Sequence, residues 1–262
     1  MVFTYVFPQV FKEQKLYKKR ALIICILLTI IIGMYAEDIS FSAKEYMRGM
    51  HLFGGFQSIE MNFSMSIKSP KGVKERQMKL LMDRQERDEK LLISILEPAF
   101  LSNMKYLSVS QKGRENQWMR TSRGVRRLSS RNNSDSLFGS DFTIEDLALT
   151  DLDNFYWSYE LSGSGVIKKI RAVPVYDTPA YSYKIFTVDE ENRLLTGIQY
   201  FNESEKLIKE YSLVEQMNVD QFVFPKRVRM KDLEEDSSTT LIIGRVSLDP
   251  ELSQGVFSKG NL

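Results

Sequence analysis

The chain has 262 residues, with 36 Lys and Arg against 34 Asp and Glu, one histidine and one cysteine, for a formal charge of +2. So even a balance gives no global basic field of the kind that nucleic-acid binding needs. A lone cysteine excludes an internal disulfide or a thiolate metal cage, and a lone histidine excludes a histidine metal cage and leaves little for His-dependent nucleophilic catalysis.

The N-terminal stretch "YKKRALIICILLTIIIGMYAED" reads as a charged region ending at Arg20, an apolar run from Ala21 to about Gly33, and a cleavage site after Ala36. Signal-peptide apolar runs span roughly 7–15 residues, whereas a spanning helix needs about 20. The expectation is a signal peptide over residues 1–36 and export to the periplasm, with an uncleaved inner-membrane anchor as the alternative. The leader before Lys18 is long, which points to a start downstream of Met1. Cys25 lies inside the apolar run and follows Ile24, a poor setting for lipid attachment. Cleavage would remove five basic residues and Glu13, leaving 226 residues with 31 basic and 33 acidic side chains, a net charge near −2. That length suits one all-β domain, residues 37–262.

The mature part opens with an expected short helix. In "FSAKEYMRGMHLFGG", Ser42 and Glu45 have capping-box spacing, and Phe41 and Tyr46 stand at staple positions. Ala43, Tyr46, Met47, Met50 and Phe53 recur at helical spacing, and Gly54 and Gly55 end the run. Then comes "SIEMNFSMSIK", a clean alternation: Ile59, Met61, Phe63, Met65 and Ile67 on one face, polar residues on the other. This predicts a half-buried antiparallel strand. After the turn "SPKG", further strands are expected in "VKERQMKLLM", "EKLLISILEP", "MKYLSVSQ", "QWMRTS", "GVRRLSS", "NFYWSYEL", "GVIKKIRAVPVY", "YSYKIFTVD", "LLTGIQYF", "KLIKEYSLVEQ", "FVFPKRVRM" and "TTLIIGRVSL". Roughly a dozen short strands with about three helical pieces imply a sandwich or barrel-like antiparallel sheet.

Between "GVRRLSS" and "NFYWSYEL" lies "LFGSDFTIEDL", Leu137 to Leu147, where an arginine-rich run gives way to acid. Its carboxylates, within one helical turn of each other, do not face one another across a bond as glycosidase chemistry requires. The stretch also lacks the glycine and the ligand spacing of a calcium loop. Thr143 and Asp146 instead have capping-box spacing, Phe142 and Leu147 fall at staple positions, and Glu145 and Asp146 would complement the helix dipole. The expectation is a helix start with Phe138, Phe142 and Leu147 on its apolar side. His51, at the end of the first helix, reads as a helix-end or core histidine. Arg114, Arg120, Arg123, Arg126, Arg127 and Arg131, mixed with Trp118, read as a solvated strand face or as a docking patch for an acidic partner or anionic headgroup. The many methionines read as core filling or as an adaptable ligand surface. No phosphate loop or nucleophile elbow is present.

"LFGSDFTIEDL" resembles the "GSDFSYEDL" signature of the LolA-like outer-membrane lipoprotein-sorting proteins. "WMRTSRGVRRLSS" is similar to that family's "WLYLPALKRVRRIS" segment, with "RTSRG" replacing its proline-containing part. "LDPELSQGVFS" resembles its closing turn and short helix. The resemblance runs from about Phe41 to Phe257. It implies a strongly curved, unclosed antiparallel half barrel covered by a few short helices, with an apolar concave face that accepts acyl chains. It implies no catalytic residue, cofactor or metal. The function expected is a non-enzymatic periplasmic carrier or chaperone for lipoproteins or other lipids. Met61, Phe63, Met65, Ile67, Leu92, Trp118, Phe138 and Phe142 are expected to line or cap the cavity. Acyl chains, an inner-membrane transporter and an outer-membrane acceptor are the expected partners of a monomer, with no nucleic acid. The alternatives are an envelope accessory protein docking on an exporter without lipid cargo and, less favoured, a secreted hydrolase.

Overall fold

The computed structural model describes residues 43–44, 46–47, 56–85, 88–111, 114–129, 132–147, 152–159, 167–176 and 179–262. The expected signal peptide, Cys25, most of the first helix with its cap and glycines, His51 and Arg131 lie outside the described residues. Of that helix, residues 43–44 and 46–47 are helical, with Ala43 and Met47 buried.

Thirteen strands form one antiparallel sheet: β1 (Ser58–Ser69), β2 (Gly72–Gln85), β3 (Asp88–Glu97), β4 (Lys105–Gln111), β5 (Arg114–Thr121), β6 (Gly124–Leu128), β7 (Phe155–Tyr159), β8 (Ile167–Pro174), β9 (Tyr183–Asp189), β10 (Leu194–Phe201), β11 (Leu207–Val219), β12 (Phe222–Asp232) and β13 (Ser237–Leu248). Each expected strand is present. The spatial order is β6-β5-β4-β3-β2-β1-β13-β12-β11-β10-β9-β8-β7. Two meanders therefore run outward from a centre where the first and last strands pair, Ile59 opposite Leu248 and Lys68 opposite Ser238. The outer strands β6 and β7 have five residues each and do not pair with each other, so the barrel stays open. Short edge strands limit the template a sheet edge offers to another chain.

The inward phase of each strand follows from its side chains. In β1 the predicted set, Ile59, Met61, Phe63, Met65 and Ile67, is buried throughout. In β2, Met78, Leu80 and Met82 share that face with Arg76. The β1–β2 hairpin turns at Gly72, whose φ of 116° an L side chain would rarely adopt. Curvature enters where register shifts. Between Met61 and Phe63 the β1–β13 ladder slips, and Gly244 there lies so close to the chain opposite that a Cβ would stand 3.2 Å from the Asn62 carbonyl oxygen. A bulge of this kind bends its strand and increases the local twist. A second irregularity spans Leu213 to Gln216, next to Pro225 of β12, which has no N–H to give to a ladder.

Three apolar clusters result. One covers the concave face of β1–β6 and takes in Leu137, Phe138 and Ile144 from the β6–β7 connection. A second lies on β7–β10, with Ala43 and Met47 of the helix stub. Phe142 packs against both and joins them. The third is on the convex face, where Leu92, Leu107 and Trp118 stand in register across β3, β4 and β5. The C-terminal tail covers this row with Phe257, from the 3-10 turn Gln254–Phe257, and Leu262.

Candidate functional site

The β6–β7 connection must cross from one open edge to the other, and it does so over the concave face. Its anchor is the expected capping box, made with Asp in place of Glu. The Thr143 N–H donates to Asp146 Oδ2 at 2.8 Å, and the Asp146 N–H donates to Thr143 Oγ1 at 3.3 Å. The helix so started, α1 (Ile144–Leu147), has only four residues.

The other carboxylates correct the expectation of simple dipole groups. Glu145 is buried, with Oε1 2.8 Å from Lys184 Nζ and Oε2 accepting the Ala180 N–H at 2.6 Å. Asp141 accepts hydrogen bonds from Thr239 Oγ1 at 2.6 Å and from Ser237 Oγ. Lys209 Nζ donates to the Asp141 carbonyl at 2.8 Å and to the Tyr181 hydroxyl at 3.0 Å. Tyr181 in turn donates to Asp146 Oδ2 at 3.3 Å. This buried network ties the connection to β9, β11 and β13. Burial first, and the Asp146 carboxylate second, push the Tyr181 and Tyr200 phenols well above their ordinary pKa. On the other flank the Arg76 guanidinium donates to the Phe138 carbonyl, with Phe138 at φ 53°. Burial lowers the Arg76 pKa.

Beneath this cover lies a partly open cavity of about 200 Å³. Its walls are Met61, Phe63 and Met65 of β1, Leu80 and Met82 of β2, Leu91 and Ile93 of β3, with Leu195, Ile198, Phe224, Val228, Leu241 and Ile243 from the other arm. Phe142, Leu147 and Asp146 form its roof. An apolar cavity of roughly 150 Å³ suffices for a benzene-sized ligand.

The residues singled out from sequence divide by position. Met61, Phe63, Met65 and Phe142 line the cavity. Ile67 and Phe138 are buried in the adjoining cluster without lining it. Leu92 and Trp118 sit on the convex face under the C-terminal tail. In β3, Leu91, Leu92 and Ile93 are consecutive apolar residues, so alternation gives no phase there, and the structure turns Leu91 and Ile93 inward. Lys184, Lys209 and Arg76 were not foreseen. Their signal was a cation in the apolar phase of a strand, as Lys184 stands with Phe186 and Val188. Among the described residues no group of His, Cys, Asp and Glu could hold a metal ion.

The same architecture occurs in solved proteins. A putative outer-membrane lipoprotein-sorting protein domain from Vibrio parahaemolyticus superposes with a TM-score of 0.77 at 18% identity, covering 84% of this chain and 98% of that one. A DUF1329 family protein from Desulfovibrio piger gives 0.75 at 22%, covering 85% and 98%. A LolA superfamily protein from Nitrosomonas europaea gives 0.64 at 18%, covering 87% and 99%. The fold is LolA-like. A family model described as "uncharacterized protein" matches residues 87–262. The chain belongs to that family. No curated protein sequence matches it. The matched region begins just before β3, so it contains the cover, the buried network and all of the second arm, while β1 and β2, which supply much of the cavity wall, precede it.

Proposed function

We propose that the protein is a non-enzymatic carrier that shelters acyl chains of lipoproteins or other lipids in the concave cavity and releases them when its cover shifts. The observation that supports this is the cavity: almost wholly apolar walls, a polar-anchored cover and space that its own side chains leave unfilled. Burying roughly ten methylenes at about 0.8 kcal/mol each gives about 8 kcal/mol, a dissociation constant near 1 µM before ordering costs. The reading places the chain in the periplasm after export, as a monomer that receives cargo from an inner-membrane transporter and delivers it to an outer-membrane acceptor. The solved sorting domain named above supports that placement by likeness of fold.

The competing reading is an envelope accessory protein that docks through its arginine face. Part of that face is engaged within the fold, since Arg120 donates to the Leu262 carbonyl and Arg126 pairs with Asp135 at 3.1 Å. Native mass spectrometry of protein purified gently from the envelope separates the readings. Bound acyl species support the carrier; an empty protein that co-purifies with a membrane transporter supports the accessory role; turnover of an ester or glycan refutes both. Phe63→Asp places a carboxylate in the cavity wall and abolishes acyl binding. Retained binding by a folded variant would show that the cavity is the wrong site.

A further inference from the structure

At one end of the sheet the two arms finish in tips of opposite character. Register places the β1–β2 turn beside the β12–β13 turn, since Lys68 pairs with Ser238. The β3–β4 loop and the β5–β6 turn follow along the same end, since Gln77 pairs with Glu97 and Lys105 with Arg120. The β1–β2 tip, "KSPKGVK", exposes Lys68, Lys71 and Lys74, with Val73 61% exposed among them. The β3–β4 loop holds Phe100, 82% exposed in the middle of the 3-10 turn Ala99–Leu101. The β5–β6 turn adds exposed Arg123 and Val125. Lys68, Lys71, Lys74 and Arg123 form no ion pair with the described residues, and they outnumber Glu75 and Glu97, the acids of the same tips. The second arm reverses the sign. Its β12–β13 turn holds Asp232, Glu234, Glu235 and Asp236, and its β10–β11 turn holds Glu203 and Glu205. The cation between them, Lys206, is already paired with Glu234 at 3.2 Å.

We propose that the three tips of the first arm are a docking surface for an anionic lipid bilayer. Phe100 and Val73 enter the headgroup layer, and Lys68, Lys71, Lys74 and Arg123 face lipid phosphates. Scattered single apolar residues on a surface need no explanation, but here they stand on three successive tips, interleaved with unpaired cations. Aromatic rings favour the membrane–water interface, and clustered Lys and Arg are drawn to anionic headgroups. Three projecting turns present separate points. A specific protein partner needs a continuous patch of about 800 Å² on each side, whereas a fluid bilayer accepts separate points. The acidic tips are repelled by the same lipids, so the chain stands with its first arm toward the bilayer and its second arm held off. None of these tip residues lines the cavity, so the surface goes beyond the carrier reading and does not depend on it.

The test mixes the full chain with vesicles of phosphatidylcholine alone or with phosphatidylglycerol added, and reads bound protein by co-sedimentation. The wild type binds the anionic vesicles more tightly, and raised salt reduces the difference. Combining Lys68→Gln, Lys71→Gln and Lys74→Gln weakens anionic binding about a hundredfold, at about fivefold per lysine. Phe100→Ser weakens it roughly tenfold. All four side chains are exposed, so the variants keep the wild-type circular dichroism and the wild-type affinity for a fluorescent fatty probe. Insertion is read separately with a tryptophan at either tip. The added emission of Phe100→Trp is quenched by brominated phospholipid in anionic vesicles, and that of Glu235→Trp, on the acidic tip, is not. Equal binding of both vesicle types by the wild type, unchanged binding by the triple lysine variant, or equal quenching at the two tips overturns the proposal and leaves the carrier reading standing. Binding to poly-glutamate but to neither vesicle assigns the tips to an acidic protein and also overturns it. Loss of fatty-probe binding by the wild type with anionic docking intact overturns the carrier reading alone.

Discussion

Replacing Lys184 by Met isolates what the buried network contributes. The lysine side chain is fully buried, with Nζ 2.8 Å from Glu145 Oε1 and 4.9 Å from the Tyr181 ring centroid. Methionine matches the stem and removes the cation. Glu145 then keeps the Ala180 N–H and the neighbouring Tyr176 phenol, and no cation, as partners. Stranding a buried charge in this way costs about 3–5 kcal/mol, about a fifth or more of the roughly 5–15 kcal/mol that holds an ordinary domain. The double variant Lys184→Met with Glu145→Gln removes both charges, and the glutamine oxygen can still accept from Ala180. A buried ion pair replaced by neutral groups is often nearly neutral in stability, so the double variant falls only about 1–2 kcal/mol below wild type, and the cycle gives a coupling of about 2–3 kcal/mol. Urea unfolding followed by tryptophan fluorescence reads this, because Trp157 lies 5.4 Å from Phe186 on the same strand as Lys184. A single variant that loses less than about 1 kcal/mol, or a double variant no better than the single one, would refute the claim that this pair anchors the cover.

Thr239→Val removes the donor to Asp141 while keeping the shape of the side chain. It costs about 1–3 kcal/mol, and hydrogen exchange over residues 135–147 accelerates more than exchange in β1 and β2; uniform acceleration would contradict a local anchor. Leu107→Ala, at a fully buried convex position, lowers stability by about 2–5 kcal/mol and leaves acyl affinity unchanged at temperatures where the variant is folded. Loss of affinity there would mean that the convex row serves the ligand. High pH unfolds the protein: burial raises the pKa of Tyr106, Tyr181 and Tyr200, so the folded state retains protons that the unfolded state releases near pH 10. Stability is fully present below about pH 10 and falls above it by up to about 4 kcal/mol per pH unit for three phenols. Spectrophotometric titration should show these phenols ionising together with unfolding; ionisation near pH 10 with the fold intact would rule the effect out.

The strands were legible because their chemistry is local. Alternation in "SIEMNFSMSIK" places five side chains on one face, and all five are buried there. The capping box at Thr143 and Asp146 was legible for the same reason, since both partners lie within one turn. What alternation could not supply was phase where both faces are apolar, as at Leu91 to Ile93, or across the sheet, where Leu92 and Trp118 join a convex row because β3, β4 and β5 align them. Nor could it distinguish a surface carboxylate from a buried one. Glu145 has the position of a dipole-complementing residue in α1, and only the return of β9 beneath it brings Lys184 within reach.

The two kinds of anchoring suggest how such a cavity can open without unfolding. The walls are held by an unbroken hydrogen-bonded ladder from β6 to β7, whose rupture is cooperative. The cover is joined to the barrel by a few polar contacts, Asp141 to Thr239 and Ser237, Glu145 to Lys184, and Arg76 to the Phe138 carbonyl, and by the buried side chains of Leu137, Phe138 and Ile144. Each polar contact exchanges for water at a net cost of about 0.5–3 kcal/mol, whereas moving Phe142 out of the two clusters that it joins exposes apolar area worth about 1.5–3 kcal/mol. An acyl chain that enters replaces that lost apolar contact. On the carrier reading proposed above, opening is therefore resisted mainly when the cavity is empty and compensated when cargo is present, the condition that a carrier needs in order to bind and release the same chain.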